Sequence, residues 1–144
     1  MTLEPYLSFN GRCEEALAFY KEALDAEVTM QMRMNEAPDP PPADCIPAGF
    51  ENKIMHASMR IGEMNLMMTD GNSAEPPSFK GFSLTLGVAD EAEAERRFNA
   101  LQKGGGKVTM PLGKTFWSPC FGMLEDKFGV GWMVIVPPAD APTN

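Results

Sequence analysis

The stretch that decides the fold is CEEALAFYKEALDAEVTM, residues 13–30, because its pattern, though few of its residues, returns downstream in EAEAERRFNALQKGGGKVTM, residues 91–110. In the first copy Ala16, Leu17, Tyr20, Ala23 and Leu24 recur at helical spacing, with Glu14 and Glu15 at the helix start, where the backbone dipole favours acidic groups. The spacing predicts a helix from about Cys13 to Leu24. In the second copy Asp90 reads as a cap, Glu93 as its partner three residues on, and Ala94, Phe98 and Leu101 as the apolar stripe, stopped by Gly104-Gly105-Gly106. Phe19 and Phe98 occupy equivalent helix positions, and Val28-Thr29-Met30 returns as Val108-Thr109-Met110 after each helix. Offsets of 79 and 80 residues place both matches in one register. A half-molecule that leaves one sheet face uncovered needs a second half, so a repeat of this size speaks for two tandem modules.

Reading outward, Leu3–Phe9 is expected as a strand ended by the Asn10-Gly11 turn. Residues 26–34 alternate, which places Val28, Met30, Met32 and Met34 on one face and Thr29, Gln31 and Arg33 on the other. Pro38, Pro40, Pro41, Pro42 and Pro47 forbid regular structure, so residues 35–52 form a long loop. Two more strands, 53–61 and 63–69, meet at a tight turn near Gly62. The second half starts with a strand at 81–88, Phe82, Leu84, Leu86 and Val88 on one face and Ser83, Thr85 and Gly87 on the other. Further strands are expected at 107–110, 120–124 and 131–136, followed by a frayed proline-rich tail, 138–144. Both halves read β-α-β-β-β. The expectation is a single α+β domain spanning 1–144, with module one over about 1–70 and module two over about 80–137. Its two βαβββ modules would form a curved mixed sheet around an internal cavity.

At 144 residues the chain can bury a sizeable core without disulfides or a structural metal. A hydrophobic share of 44% against 22% charged is globular. Twelve basic against twenty acidic side chains give a net charge of −8, which repels phosphate backbones and anionic membranes. Neither nucleic acid nor a membrane is an expected partner. Cys13, Cys45 and Cys120 are odd in number and far apart, with no CxxC pair, so three free thiols in a reducing cytoplasm are expected. The start of the chain lacks the basic and apolar stretches of a signal peptide, and no window is apolar enough for a membrane span. His56 is the only histidine, which excludes two-histidine metal motifs.

Taken together, several stretches resemble the vicinal oxygen chelate superfamily of glyoxalases, bleomycin-resistance proteins and extradiol dioxygenases, and within it the PhnB-like branch. In the first half they are Pro5-Tyr6-Leu7-Ser8-Phe9-Asn10-Gly11, Cys13-Glu14-Glu15-Ala16 through Phe19-Tyr20, Lys53-Ile54-Met55-His56-Ala57, Ile61-Gly62-Glu63 and Met68-Thr69-Asp70. In the second they are Ala94-Glu95-Arg96 through Phe98, Thr109-Met110-Pro111-Leu112, Thr115-Phe116-Trp117, Phe121-Gly122-Met123-Leu124, Asp126-Lys127-Phe128-Gly129 and Trp132-Met133-Val134. Metal-using members place one His, Gln or Glu ligand on the first and last strand of each module. The resemblance lays those positions on Pro5, Leu66 or Met67, Ser83 and Met133, none of which suits a hard divalent ion. It therefore implies a homodimeric, metal-free binding protein for an apolar or aromatic small molecule, with no cofactor. The loss of the ligand positions argues against an enzyme. The alternative is a glyoxalase- or dioxygenase-like enzyme whose divalent metal site is rebuilt from His56, Asp70, Glu125 and Asp126. A methyltransferase lacks its expected Gly-rich strand-to-helix nucleotide motif here.

The residues themselves nominate His56, which shares a strand face with Ser58 and Arg60, as a hydrogen-bonding group or weak catalytic base. Ser83 and Thr85 are candidates for a cavity floor, and Phe116, Trp117 and Trp132 for aromatic walls. Met67 and Met133 are candidates for a thioether lining, set against the commoner use of methionine as core filler. Asp70 reads better as a turn residue than as a ligand, Glu125-Asp126 as a turn before Phe128-Gly129, and Cys120 as an inert buried thiol.

Overall fold

Apolar periodicity is realised twice. In the computed structural model, which describes residues 1–139, the first compact unit spans Met1–Pro77 and the second begins at Ser78. The first contains β1 (Tyr6–Ser8), α1 (Cys13–Leu24), β2 (Glu27–Arg33), β3 (Ile54–Ile61) and β4 (Met64–Thr69). The second repeats the order with β5 (Leu84–Gly87), α2 (Glu91–Gln102), β6 (Lys107–Gly113), β7 (Cys120–Glu125) and β8 (Gly131–Val136). Each unit holds one four-stranded mixed sheet, ordered β1-β4-β3-β2 in the first and β5-β8-β7-β6 in the second. The outer pairs β1-β4 and β5-β8 are parallel and the rest antiparallel. The expected tail at 138–144 falls mostly outside the described residues.

One face of each sheet is buried under its helix. In the first unit Leu7, Ala57, Met59, Leu66 and Met68 pack with Ala16, Leu17, Tyr20, Ala23 and Leu24 of α1, all buried. In the second, Leu124, Trp132, Val134 and Val136 lie beneath Ala94, Phe98 and Leu101 of α2. Helix α2 is capped as the sequence predicts, the Glu93 amide donating to Asp90 Oδ1 at 2.8 Å. Helix α1 has no side-chain cap of its own. Its start is held instead by Asp70, whose Oδ1 accepts from the Gly11 and Cys13 amides at 2.9 and 2.7 Å, while Oδ2 accepts from Ile54 N at 2.8 Å. The Asn10-Gly11 turn that makes this approach possible needs positive φ at both residues, and at 103° Gly11 takes a value that only glycine adopts without strain.

Two strand readings require correction. The first strand covers only Tyr6–Ser8, and β5 only Leu84–Gly87, the residues that have ladder partners on β4 and β8. The alternation read along residues 26–34 is also broken. Val28 pairs with Met59 but Met30 pairs with Ser58, so Thr29 is an extra residue in a β-bulge. Val28 consequently faces the helix side and Met30 the opposite side. The same bulge occurs in β6, where Val108 pairs with Leu124 and Met110 with Met123. The repeated Val-Thr-Met is thus the sequence of a repeated bulge. β6 also extends to Gly113, three residues beyond the expected end, and Pro111 is tolerated there because β6 is an edge strand.

The proline-rich segment is irregular as expected, with single 3-10 turns at Met34–Glu36, Ala43–Cys45 and Phe50–Asn52. Its two ends are tied together and to α1. Arg33 forms a forked pair with Glu14 at 3.0 and 2.8 Å and donates to the Asn52 carbonyl, and Lys53 Nζ donates to the Gly11 carbonyl at 2.9 Å. That pairing holds the Glu14 carboxyl below its ordinary range. Phe50 is buried with its ring against Gly11.

Candidate functional site

With one face of each sheet occupied by a helix, chemistry available to a ligand lies on the other. In the first sheet the register aligns Tyr6, Met67, Ser58 and Met30 across β1, β4, β3 and β2. The adjacent row brings Ser8 beside Thr69 and His56 beside Met32. His56 sits at the centre. Tyr6 Oη lies 3.1 Å from His56 Nδ1, the two rings are stacked with centroids 5.6 Å apart, and Ser58 Oγ lies 3.4 Å from Nε2. Tyr6 is 50% exposed and His56 and Ser58 are half-buried, so the group is held yet reachable. Arg60, further along the same face of β3, is paired with Glu27.

In the second sheet the corresponding row is Thr85, Met133, Met123 and Met110, with Ile135 and Phe121 next to it. Thr85 Oγ1 contacts the Met133 thioether at 3.9 Å. The loop after β6 extends this apolar surface. Trp117 packs edge-on against Phe121 at 5.4 Å and against Phe116 at 4.7 Å, with Phe116 itself 97% exposed. A tight turn holds the loop, the Thr115 amide donating to the Ser118 carbonyl at 2.9 Å and the Ser118 hydroxyl to the Val136 carbonyl at 2.6 Å.

Of the residues nominated from sequence, His56 and Met67 share the open face of the first sheet, while Thr85 and Met133 share that of the second, which the Phe116-Trp117 loop borders. Ser83 precedes β5 and packs near Gly131 rather than standing on the ladder. Trp132 does not belong with them. Strand alternation places it between Leu84 and Leu124 on the helix-covered face, and its indole nitrogen donates to Asp126 Oδ2 at 2.9 Å. Tyr6, which the sequence reading did not nominate for the pocket, joins His56 and Met67 on the open face of the first sheet. The 79-residue repeat offset carries the nominated Thr85 onto it, and that signal was available.

Two of the three carboxylates proposed for a rebuilt metal site, Asp70 and Asp126, are committed elsewhere, and the third, Glu125, is exposed at the end of β7. Asp70 is fully buried with both oxygens accepting backbone amides, and Asp126 accepts from Phe128 N, Val130 N and the Trp132 indole. The first and last strands of each unit, where the resemblance places the metal ligands, carry on the open faces Tyr6 beside Met67 and Thr85 beside Met133. A phenol, two neutral thioethers and a hydroxyl do not fit a hard or borderline divalent ion. Among the described residues no group of three or more His, Cys, Asp or Glu side chains is placed to hold a metal. Cys120 is buried, and burial first, then Glu91 and Glu95, push its thiol up; Cys13 is driven up more strongly by burial and Asp70.

Two βαβββ units, each with a helix on one sheet face, define the glyoxalase/bleomycin-resistance fold of the vicinal oxygen chelate superfamily. At the level of fold alone, the chain matches a glyoxylase/bleomycin resistance protein/dioxygenase domain from Frankia sp. EAN1pec at 13% identity and a TM-score of 0.63, covering 94% of each chain. Within that class the chain belongs to the PhnB-like family whose model is described as 3-demethylubiquinone-9 3-methyltransferase, matched over residues 1–135. It is 38% identical to Protein YjdN of Escherichia coli K12 over 94% of this chain and 95% of that one. The crystal structure of protein PA1353 from Pseudomonas aeruginosa aligns at 41% identity and a TM-score of 0.80, covering 95% and 98% of the two chains. A PhnB protein from Bacillus cereus, provisionally given the same methyltransferase description, aligns at 28% identity and 0.77, covering 94% and 99%. No helix among the described residues is long and apolar enough to cross a membrane.

Proposed function

We propose that the protein is a metal-independent small-molecule binding protein of the bleomycin-resistance and PhnB-like type, taking an apolar or aromatic ligand on the open sheet faces. The observation that carries this reading is the composition of those faces. Met30, Met32 and Met67 surround the hydrogen-bonded Tyr6-His56 pair on one sheet, and Met110, Met123, Met133, Phe121 and Ile135 line the other. Adaptable thioethers around a few fixed polar groups are what an apolar ligand site uses. In this reading the protein acts in the cytoplasm as a homodimer, needs no cofactor, and uses loop 35–52 as a lid or partner contact.

The test combines elemental analysis of untagged protein, purified without a metal column, with thermal-shift screening of aromatic compounds in the presence and absence of chelator. Substoichiometric metal together with chelator-insensitive ligand stabilisation is expected. A stoichiometric metal whose removal abolishes ligand stabilisation would overturn the reading. Sedimentation of a monomer at micromolar concentration would overturn the dimer.

A further inference from the structure

We infer that Tyr6 is the hydrogen-bond donor that selects the ligand, and that it selects apolar molecules bearing a neutral acceptor oxygen, such as an aryl ketone. The inference rests on the binding reading above and names the chemical class that site would take. Three groups form a chain on the open face of the first sheet: Ser58 Oγ at 3.4 Å from His56 Nε2, and His56 Nδ1 at 3.1 Å from Tyr6 Oη. A neutral imidazole carries one proton, so the chain has a direction. The distances admit either direction, and we take the one in which Ser58 donates to Nε2, which puts the ring proton on Nδ1 and donates it to Tyr6 Oη. The phenolic hydrogen is then left pointing away from the protein, with Tyr6 half exposed. Donors so linked polarise one another, which strengthens the terminal one.

The charge around this donor decides the ligand's oxygen. Arg60, on the same strand face, is paired with Glu27, and the chain as a whole carries −8. A carboxylate or phosphate would find a neutral phenol and a neighbouring guanidinium already paired, whereas a carbonyl oxygen asks only for a donor. The ligand's apolar body meets Met67 and Met30, the neighbours of Tyr6 and Ser58 across the sheet. His56 and Ser58 are positioning residues in this account, and Tyr6 touches the ligand.

The test uses a matched pair of probes, 2-acetylnaphthalene and 2-ethylnaphthalene, which share a ring system and differ in the acceptor oxygen. Affinities are measured for the wild-type chain, Tyr6→Phe and Ser58→Ala. A third probe, the carbonyl dye prodan, reports hydrogen bonding to its oxygen by a red shift in emission. Losing one neutral hydrogen bond is worth about a five- to tenfold change in affinity. Tyr6→Phe is therefore expected to weaken 2-acetylnaphthalene by that factor, leave 2-ethylnaphthalene unchanged, and shift bound prodan to the blue. Ser58→Ala is expected to do the same to a smaller degree with Tyr6 in place. If both naphthalenes bind and neither variant alters their ratio or the prodan emission, the selection by Tyr6 is wrong while the binding reading stands. If neither naphthalene nor prodan binds the wild-type chain, the binding reading fails and this inference with it.

Discussion

The two sheets share a strand order, a helix and even a bulge, yet their open faces differ in kind. The first presents Tyr6, Ser58 and His56 among methionines, whereas the equivalent positions in the second are Thr85, Met123 and Phe121. The two modules thus share what each needs in order to fold and differ on the side away from the helix. The helix sides differ more subtly. Ala57 in the first sheet corresponds to Gly122 in the second, where an added Cβ would lie 2.8 Å from the Phe98 ring and 2.9 Å from Leu112. The Phe98 ring of α2 thus occupies the space a methyl group would need at Gly122.

The buried aspartates provide the largest test of this comparison. Asp70→Ala strands the buried Cys13 and Ile54 amides and the part-buried Gly11 amide, which join α1 to β3, and should cost roughly 3–5 kcal/mol in urea unfolding. Hydrogen exchange should then quicken at Cys13 and Ile54. Asp126→Ala should act instead on Val130 and the Trp132 indole, so an identical exchange pattern for the two variants would refute the distinct roles given them. Next in size is Gly122→Ala, expected to destabilise by about 1–3 kcal/mol through overpacking. A neutral result would show that α2 has room the structure denies it.

The bulges give a finer test. Val28→Asp, on the helix side, should cost roughly 1–3 kcal/mol more than Met30→Asp, since only the first places a carboxylate against apolar packing. The same ranking is expected for Val108→Asp over Met110→Asp. Equal costs would restore the simple alternation and remove the bulge. The smallest perturbation is chemical. One thiol per native chain, Cys45, should react rapidly with a disulfide reagent at pH 8, because burial holds Cys13 and Cys120 in the unreactive thiol form. Three should react in denaturant.

Much of the architecture was legible because it rests on local periodicity. Helix α1 runs from Cys13 to Leu24 as its apolar spacing requires, and the proline cluster after β2 excludes regular strand and helix as its chemistry demands. The bulges were not legible, since an unbroken Val-Thr-Met-Gln-Met alternation looks the same with or without an extra residue until its partner strand is known. Trp132 failed as a pocket candidate for a related reason: an aromatic on a strand belongs to either face, and only the pairing with Leu124 and the bond to Asp126 decide it. Asp126 sits in the turn the sequence suggests, whereas the Asp70 carboxylate, read as a turn residue, serves Gly11, Cys13 and Ile54 instead, contacts distant in sequence. Tyr6 was not nominated for the pocket because its strand is three residues long and carries no periodic signal of its own.

The central claim is that ligands seat on the faces opposite the helices. Methyl-labelled methionine NMR during titration with 2-acetylnaphthalene tests it directly, because methionines stand on both sides of these sheets. The account predicts shifts at Met30, Met67, Met123 and Met133, with Met59 and Met68 unmoved beneath α1. Shifts at Met59 and Met68 without change at the other four would contradict it.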